Sequence, residues 1–305
     1  MASHENEWQD CRLTYGITPP KSSLPEERRR EIAAVQTTRI AALPIDALIV
    51  YDLQDESSRT DVERPFPFLK TIEPLDYAFD YLDGVPHKKI VYRSVSGLDE
   101  EGLRDWLRQL EENAGATVLV GAPSQMQAVR LGLGDAYRIR TRRCPQVQLG
   151  GVLIAERHEA GGTEDARVFR KMDHGCSFFV TQAAYSVTAS KNVLSDLHYR
   201  GQAEEREIPP ILVTLSPCGS KKTLEFMRWL GVSVPHWLEN ELLHAHDILE
   251  KSIDLSISGF QELYGFAQEK GMPLGCNIES VSLRRAEIDA SVEMLHRVAK
   301  IMGRN

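Results

Sequence analysis

Residues 149–182, LGGVLIAERHEAGGTEDARVFRKMDHGCSFFVTQ, read as strand, polar loop, helix and strand. Leu149 to Ile154 is a short apolar run, and the chain turns polar at once through Ala155-Glu156-Arg157-His158-Glu159. Gly161-Gly162-Thr163 breaks the chain and can cap a helix from Glu164 to His174. That helix has acids in its first turn and Arg170-Lys171 in its last, the charge order its dipole favours. Gly175 ends it, and Ser177 to Val180 is a second apolar run, stopped by Thr181-Gln182. Two strands joined through one helix imply a parallel pair with a crossover connection. Parallel α/β folds place ligands just past the carboxyl ends of their strands, where the polar residues of this stretch fall.

Working outward, the same alternation repeats. Arg12 to Thr18 is a first strand candidate, and Pro25-Glu26-Glu27 opens a helix to about Ala42. Ala47 to Tyr51 is a second strand that runs into Asp52, Asp55 and Glu56, followed by a long loop containing RPFPF. A helical stretch over 73–83 leads to a third strand, Lys89 to Tyr92. Asp99 to Asn113 places Leu103, Trp106, Leu107 and Leu110 on one stripe, the period of a helix with a buried face. Thr117 to Val120 is a fourth strand, turning at Gly121-Ala122-Pro123-Ser124, with a helix expected through Met126 and Val129. After the central pair come a helix over 186–200, a strand Ile211 to Leu215, helices over 221–231 and most of 236–270, a strand Pro273 to Ile278, and a last helix over 284–302. Eight strands alternating with helices predict a single (β/α)8 TIM barrel. A doubly wound open sheet is the runner-up, disfavoured by the count and by the lack of GxGxxG after the first strand. Residues 1–10 read as a loose polar tail and 11–305 as the barrel domain, with no composition shift that would split it.

Composition narrows the function. The 305 residues carry a net charge of −8, so a basic surface for nucleic acid is not expected. No apolar run approaches the roughly 20 residues that span a bilayer. The start, MASHENEWQDCR, lacks a signal-peptide core, so a cytoplasmic location is expected. Cys11, Cys144, Cys176, Cys218 and Cys276 are odd in number and far apart, which favours reduced thiols over a disulfide framework. With no CxxC or HExxH, and with His244 and His246 two apart on a helical stretch, no metal site is expected.

A barrel collects the residues that follow its strands at one mouth. Those are Gly16, Asp52, Asp55, Glu56, Tyr92, Arg93, Ser124, Glu156, His158, Gln182, Ser216, Lys221, Asn277 and Glu279. Gln182, an amide directly after an apolar run, can both give and accept a hydrogen bond there, and Glu279 after PLGCNI follows the same logic. Asp55-Glu56 and His158 could equally be solvated loop residues. Arg170-Lys171 have a sufficient structural reason in the helix dipole. Cys176 and Cys276 read as packing residues, because no histidine is placed to activate either.

These motifs resemble the methylenetetrahydrofolate reductases. The family's strand, P-E-x-H, helix ending K-x-D-x-G-A and strand ending T-Q is similar to Ala155-Glu156-Arg157-His158, Lys171-Met172-Asp173-His174-Gly175-Cys176 and Thr181-Gln182. Tyr15-Gly16-Ile17-Thr18-Pro19-Pro20-Lys21 resembles its F-E-F-F-P-P-K opening, Val234-Pro235-His236-Trp237 its I-P-x-W element, and Leu283-Arg284 its L-N-R. The family fold is a (β/α)8 barrel. The flavin-independent mycobacterial branch is also similar: Val120-Gly121-Ala122-Pro123 matches its V-G-x-P, Asp55-Glu56 its acid-rich loop, and Ile278-Glu279-Ser280 its L-E-T.

The resemblance implies reduction of 5,10-methylenetetrahydrofolate to 5-methyltetrahydrofolate in one-carbon metabolism and methionine biosynthesis. The hydride would come from NADH or NADPH, directly or through FAD. Gln182 matches the glutamine that bonds the pterin, and Tyr92, Lys221 and Asn277 join it as substrate-binding candidates. His158, Arg170 and Lys171 match positions that hold flavin phosphates and ribose, and Asp52 joins them as a cofactor-binding candidate. The family's flavin-contacting threonine and histidine positions correspond to Tyr51 or Asp52 and to Tyr92, and its arginine-glycine-aspartate to Gly121-Ala122-Pro123. FAD is therefore expected to be weakly held or absent. The family's catalytic glutamate corresponds to Gly16, so the acid that protonates the pterin must be Glu56 or Glu279, or the reaction is absent. Two other classes stay open: a folate- or flavin-binding protein without reductase chemistry, and another one-carbon or methyl-transfer enzyme. An oligomer is compatible with all of these.

Overall fold

The computed structural model describes residues 8, 10–57, 60–122 and 128–304. Most of the expected tail over 1–10, together with Pro123, Ser124 and Met126, lies outside the described residues. The chain opens with β1 (Leu13–Ile17), α1 (Glu26–Ala41), β2 (Ala47–Val50), α2 (Pro74–Asp76) and a π-helical turn Tyr77–Tyr81. Next come β3 (Lys88–Ser94), α3 (Glu100–Glu112), β4 (Ala116–Val120), α4 (Leu133–Arg143) and β5 (Gln148–Leu153). Then follow α5 (Ala155–Gly161), α6 (Glu164–Asp173), β6 (Cys176–Ala183), α7 (Val187–Ala203) and β7 (Ile211–Leu215). The chain finishes with α8 (Lys221–Trp229), α9 (His236–Leu243), α10 (Ile248–Glu269), β8 (Leu274–Glu279) and α11 (Arg285–Ile301). The strands close in the order β1-β2-β3-β4-β5-β6-β7-β8, so the fold is the expected (β/α)8 barrel.

Two compact units divide the chain. One comprises Gly16–Gly151 and Lys171–Ser177, and the other Met1–Tyr15, Val152–Arg170 and Phe178–Asn305. In the first, β2 and β3 pair in parallel from Ala47↔Lys88 to Val50↔Val91, and β3 and β4 from Ile90↔Ala116 to Ser94↔Val120. All four residues of β2 are buried, as expected of a parallel strand covered on both faces. On α3, Asp99 accepts the Gly102 amide as an N-cap, and the stripe Leu103, Trp106, Leu107 and Leu110 is buried. Each such leucine contributes about 1.5–3 kcal/mol by leaving water.

In the second unit, β7 and β8 pair from Ile211↔Leu274 to Leu215↔Ile278. Gly275 lets β8 approach the start of β1, where Cys276 donates its amide to the Arg12 carbonyl at 2.7 Å. A Cβ at Gly275 would lie 2.2 Å from that carbonyl oxygen. The link from β7 to β8 carries α8, α9 and α10. Leu224, Met227, Val232, Val234, Leu238 and Leu242 of that link pack with Ala183 and Tyr185 into one buried cluster.

Three local expectations are corrected. The polar stretch 155–161 is helical rather than a loop; Gly162, at φ 59°, ends it and returns its amide to the His158 carbonyl at 2.6 Å. Thr181-Gln182 does not stop β6. The register shifts between Val180 and Ala183, and the Thr181 hydroxyl accepts the Thr214 amide at 2.9 Å, so a side chain carries the ladder across the irregularity. Val129 is not helical and is 54% exposed. The helix lies at Leu133–Arg143, where Arg140 is buried and interrupts the apolar pattern that would have revealed it. Arg140 is tolerated there because its Nε donates to the Val147 carbonyl at 2.7 Å.

Candidate functional site

In the β2–β4 unit the polar strand ends gather around Asp52. Its Oδ2 accepts the Ser94 amide at 2.8 Å and its Oδ1 the Gln54 side-chain amide at 2.8 Å. Burial pushes the Asp52 carboxyl above its ordinary range; those two hydrogen bonds and the Arg93 charge offset this only in part. Tyr92 is 8% exposed and packs against Tyr51, with ring centroids 4.8 Å apart. Arg93 turns the other way. It pairs with Glu73 at 2.6 Å and lies over the Trp106 ring at 5.7 Å, and Trp106 donates to the same Glu73 carboxylate at 3.1 Å. Glu56 is half-buried in the loop after β2. Gly16 is buried one residue before the end of β1.

In the β6–β8 unit, the side-chain amide of Gln182 donates to the Leu230 carbonyl at 2.8 Å. Glu156, at the start of α5, accepts the Ser233 amide at 3.2 Å. Two residues that the sequence places beyond strand ends thus grip one turn of the β7–β8 link. Burial raises the Glu156 carboxyl above its ordinary range. Asn277 is fully buried inside the unit: its Oδ1 accepts from the Thr14 hydroxyl at 3.0 Å and its Nδ2 donates to the Thr214 hydroxyl at 3.2 Å. Glu279 is the last residue of β8 and half-buried.

The start of α8 is filled by the chain itself. Lys221 is its exposed first residue. Glu287, 1% exposed, accepts from the Gly219 amide at 2.9 Å and the Thr223 hydroxyl at 2.8 Å. Barrels often hold a phosphate at a helix start after strands seven and eight. Here a buried carboxylate occupies that position, and Gly219 is needed because a Cβ there would meet the Glu287 side chain at 2.6 Å.

The remaining cofactor candidates sit among the helices. His158 is buried on α5, with Nε2 3.0 Å from an Asp196 carboxylate oxygen on α7 and Nδ1 4.0 Å from Asp165 on α6. Arg170 is exposed and Lys171 half-buried, both in the last turn of α6, whereas Gln182 is the next-to-last residue of β6. Burial pushes the Cys176 and Cys218 thiols up to about 12 and raises the Cys276 thiol as well, so none of them is poised as a thiolate. Among the described residues, no group of three or more His, Cys, Asp or Glu side chains could hold a metal, and no helix is long and apolar enough to cross a membrane. Two surface clefts of about 330 and 410 Å³ open between outer helices, one lined by Glu100 and Arg138, the other by Arg30 and Tyr81, and neither is lined by a candidate named above.

Sequence reasoning did not single out two features. Glu287 lies 68 residues from its Gly219 partner, with no motif to join them. The Gln182 and Glu156 partners are backbone groups of a loop, which have no sequence signal.

The closed order of eight parallel strands, with polar groups at strand ends, defines a (β/α)8 barrel protein. The chain is 44% identical to a protein from Clostridium thermocellum that binds two copies of 5-methyl-5,6,7,8-tetrahydrofolic acid. The match covers 96% of this chain and 96% of that one, with a TM-score of 0.85, and the chain belongs to the same family as that protein. A GH113 β-1,4-mannanase is similar at a TM-score of 0.54 and 11% identity over 94% of this chain and 97% of that one, a likeness of fold alone. No protein-family model and no curated protein matches the chain.

Proposed function

We propose that this protein binds a reduced folate of the 5-methyltetrahydrofolate class. The observation that carries this reading is the 44% identity, over nearly the whole of both chains, to a protein that binds that compound. The polar strand ends suit such a ligand, since a pterin needs hydrogen-bond partners at its ring edge and flat apolar surface at its face. Titration calorimetry of the purified chain with 5-methyltetrahydrofolate tests it, and a folded protein that takes up no ligand overturns it.

A second reading is reduction of 5,10-methylenetetrahydrofolate. It is supported by the Thr181-Gln182 and Lys171-Met172-Asp173-His174-Gly175 motifs, and by the fact that 5-methyltetrahydrofolate is the product of that reaction. In it, NADH or NADPH supplies the hydride, FAD is weakly held or absent, and Glu56 or Glu279 supplies the proton in place of Gly16. Oxidation of NADH by the wild type, Glu56→Gln and Glu279→Gln tests this, because removal of a general acid costs roughly 10²–10⁴ in rate. A wild type that does not turn over while still binding the folate leaves the chain a folate-binding barrel without reductase chemistry.

A further inference from the structure

We infer that Glu287 is a built-in anion at the place between the ends of β7 and β8 where barrels often hold a ligand's phosphate, and that it restricts this place to ligands that bring no phosphate to it. 5-Methyltetrahydrofolate carries no phosphate, so the inference agrees with the reduced-folate reading without resting on it.

The parallel pairing of β7 with β8, from Ile211↔Leu274 to Leu215↔Ile278, makes the links that follow them leave the same end of the sheet. The first link enters α8 through Gly219 and the N-cap Ser220, and the second enters α11, whose first turn carries Glu287. Glu287 reaches across from one link to the other. Its Oε1 accepts from the Gly219 amide at 2.9 Å and from the Thr223 hydroxyl at 2.8 Å. A backbone amide and a hydroxyl at a helix start are donors of the kind that hold a phosphate oxygen. The nine-residue α8 opens on Lys221 and Lys222 and has no acid in its first turn. A helix start also carries about half a unit of positive charge. This end is therefore charged for an anion, and the chain supplies one from α11.

Space and charge both act against a second anion. Glu287 is 1% exposed, and a Cβ at Gly219 would lie 2.6 Å from its Cγ and 2.8 Å from its Cδ. Only glycine lets the carboxylate pack this close to the backbone. Its other oxygen, Oε2, is buried and has no hydrogen-bond donor among the described residues; its ion-pair partner, Arg284 Nε, is 3.8 Å away. Part of the negative charge is thus left without a close donor, and like charges repel strongly where water is excluded. An arriving phosphate would meet both the Glu287 side chain and that charge, and could take the two donors only by displacing it.

The test is calorimetric titration and thermal unfolding with inorganic phosphate, against chloride at matched ionic strength, for the wild-type full chain, Glu287→Ala and Glu287→Ser. Truncation bares the Gly219 amide and the Thr223 hydroxyl. A phosphate that takes both should bind the variants about 10- to 100-fold more tightly than the wild type. The melting temperature of a variant should then rise with phosphate and level off, whereas the wild type responds to phosphate as it does to chloride. Glu287→Ser, which keeps a hydroxyl near the bared donors, carries the test if Glu287→Ala does not fold. If neither folds in chloride, recovery of the folded state in phosphate supports the inference and its failure overturns it. Phosphate uptake by neither folded variant overturns it and leaves Glu287 a structural tie between α8 and α11. A wild type that binds phosphate as tightly as the variants overturns it as well. Titration of 5-methyltetrahydrofolate into the wild type in chloride reports on the reduced-folate reading alone, so either can fail without the other.

Discussion

The side-chain amide of Gln182 donates a 2.8 Å hydrogen bond to the carbonyl of Leu230, so a residue of β6 holds the turn that follows α8. That turn passes through Gly231 at φ 87° and is gripped again at Ser233 by Glu156. The amide nitrogen of Gln182 is engaged in this contact. Gln182→Leu should therefore cost about 1–3 kcal/mol of stability by leaving the Leu230 carbonyl without this donor. Urea unfolding measures that loss. Folate affinity measured on the same variant separates a ligand contact from a purely architectural one.

Gly275 and Gly265 predict substitutions of opposite sign. At Gly275 a new Cβ meets backbone, the Arg12 oxygen at 2.2 Å and the Arg12 Cα at 2.8 Å, along with Leu212 Cδ2 at 2.7 Å. The Arg12 carbonyl is held by the Cys276 amide, so Gly275→Ala forces β1 and β8 apart and should cost about 3 kcal/mol. Gly265 lies within α10, and a Cβ there meets nothing within 4 Å. Gly265→Ala should stabilise by about 0.5–1 kcal/mol through reduced freedom of the unfolded chain. Equal effects at the two sites would contradict the close approach of β1 to β8.

Asn277 bridges Thr14 and Thr214 within a fully buried layer, and the Thr214 hydroxyl continues to the Thr181 carbonyl at 2.7 Å. Asn277→Leu removes a donor and an acceptor at once and should destabilise by about 1–3 kcal/mol. Thr14→Val should be less damaging in the Asn277→Leu background than alone, because the two share a hydrogen bond. A double-mutant cycle by chemical denaturation reads this directly, and strict additivity would show that the bridge carries no energy.

The barrel was legible because its strands are short continuous apolar runs and its longer helices keep a clean stripe. Ile211–Leu215 is an apolar run bounded by polar residues and proline, and α3 buries the four residues its spacing indicates. Legibility failed where a polar residue serves the fold. The α5 segment AERHEAG has too little apolar periodicity to show a helix, and α4 hides its stripe behind the buried Arg140. At the strand ends the chain revealed which residues lie there but not their partners. Gln182, Glu156 and Asp52 each bond a backbone amide or carbonyl of a distant segment, and such a partner has no identity in the sequence. His158 reads as a loop residue beyond a strand, yet the short helix that carries it turns its ring between Asp165 and Asp196.

Glu156 makes stability depend on pH with a definite sign. Its carboxyl is raised above the ordinary 4.5, first by burial, while its own amide and that of Ser233 act the other way. The folded chain therefore takes up this proton more readily than the unfolded chain. The stabilisation that follows is complete below the ordinary value and is lost as pH rises through the raised one. At about pH 8 the wild type carries a desolvated negative charge here. Glu156→Gln has none, and its amide oxygen can still accept from Ser233. The variant should melt higher than the wild type at about pH 8, and its advantage should shrink on acidification and vanish below the ordinary carboxyl range. Thermal unfolding of both proteins across that span checks it. A gap that stays constant with pH, or a variant that is the less stable at about pH 8, would mean that the Glu156 charge is satisfied and that its grip on Ser233 does not depend on burial.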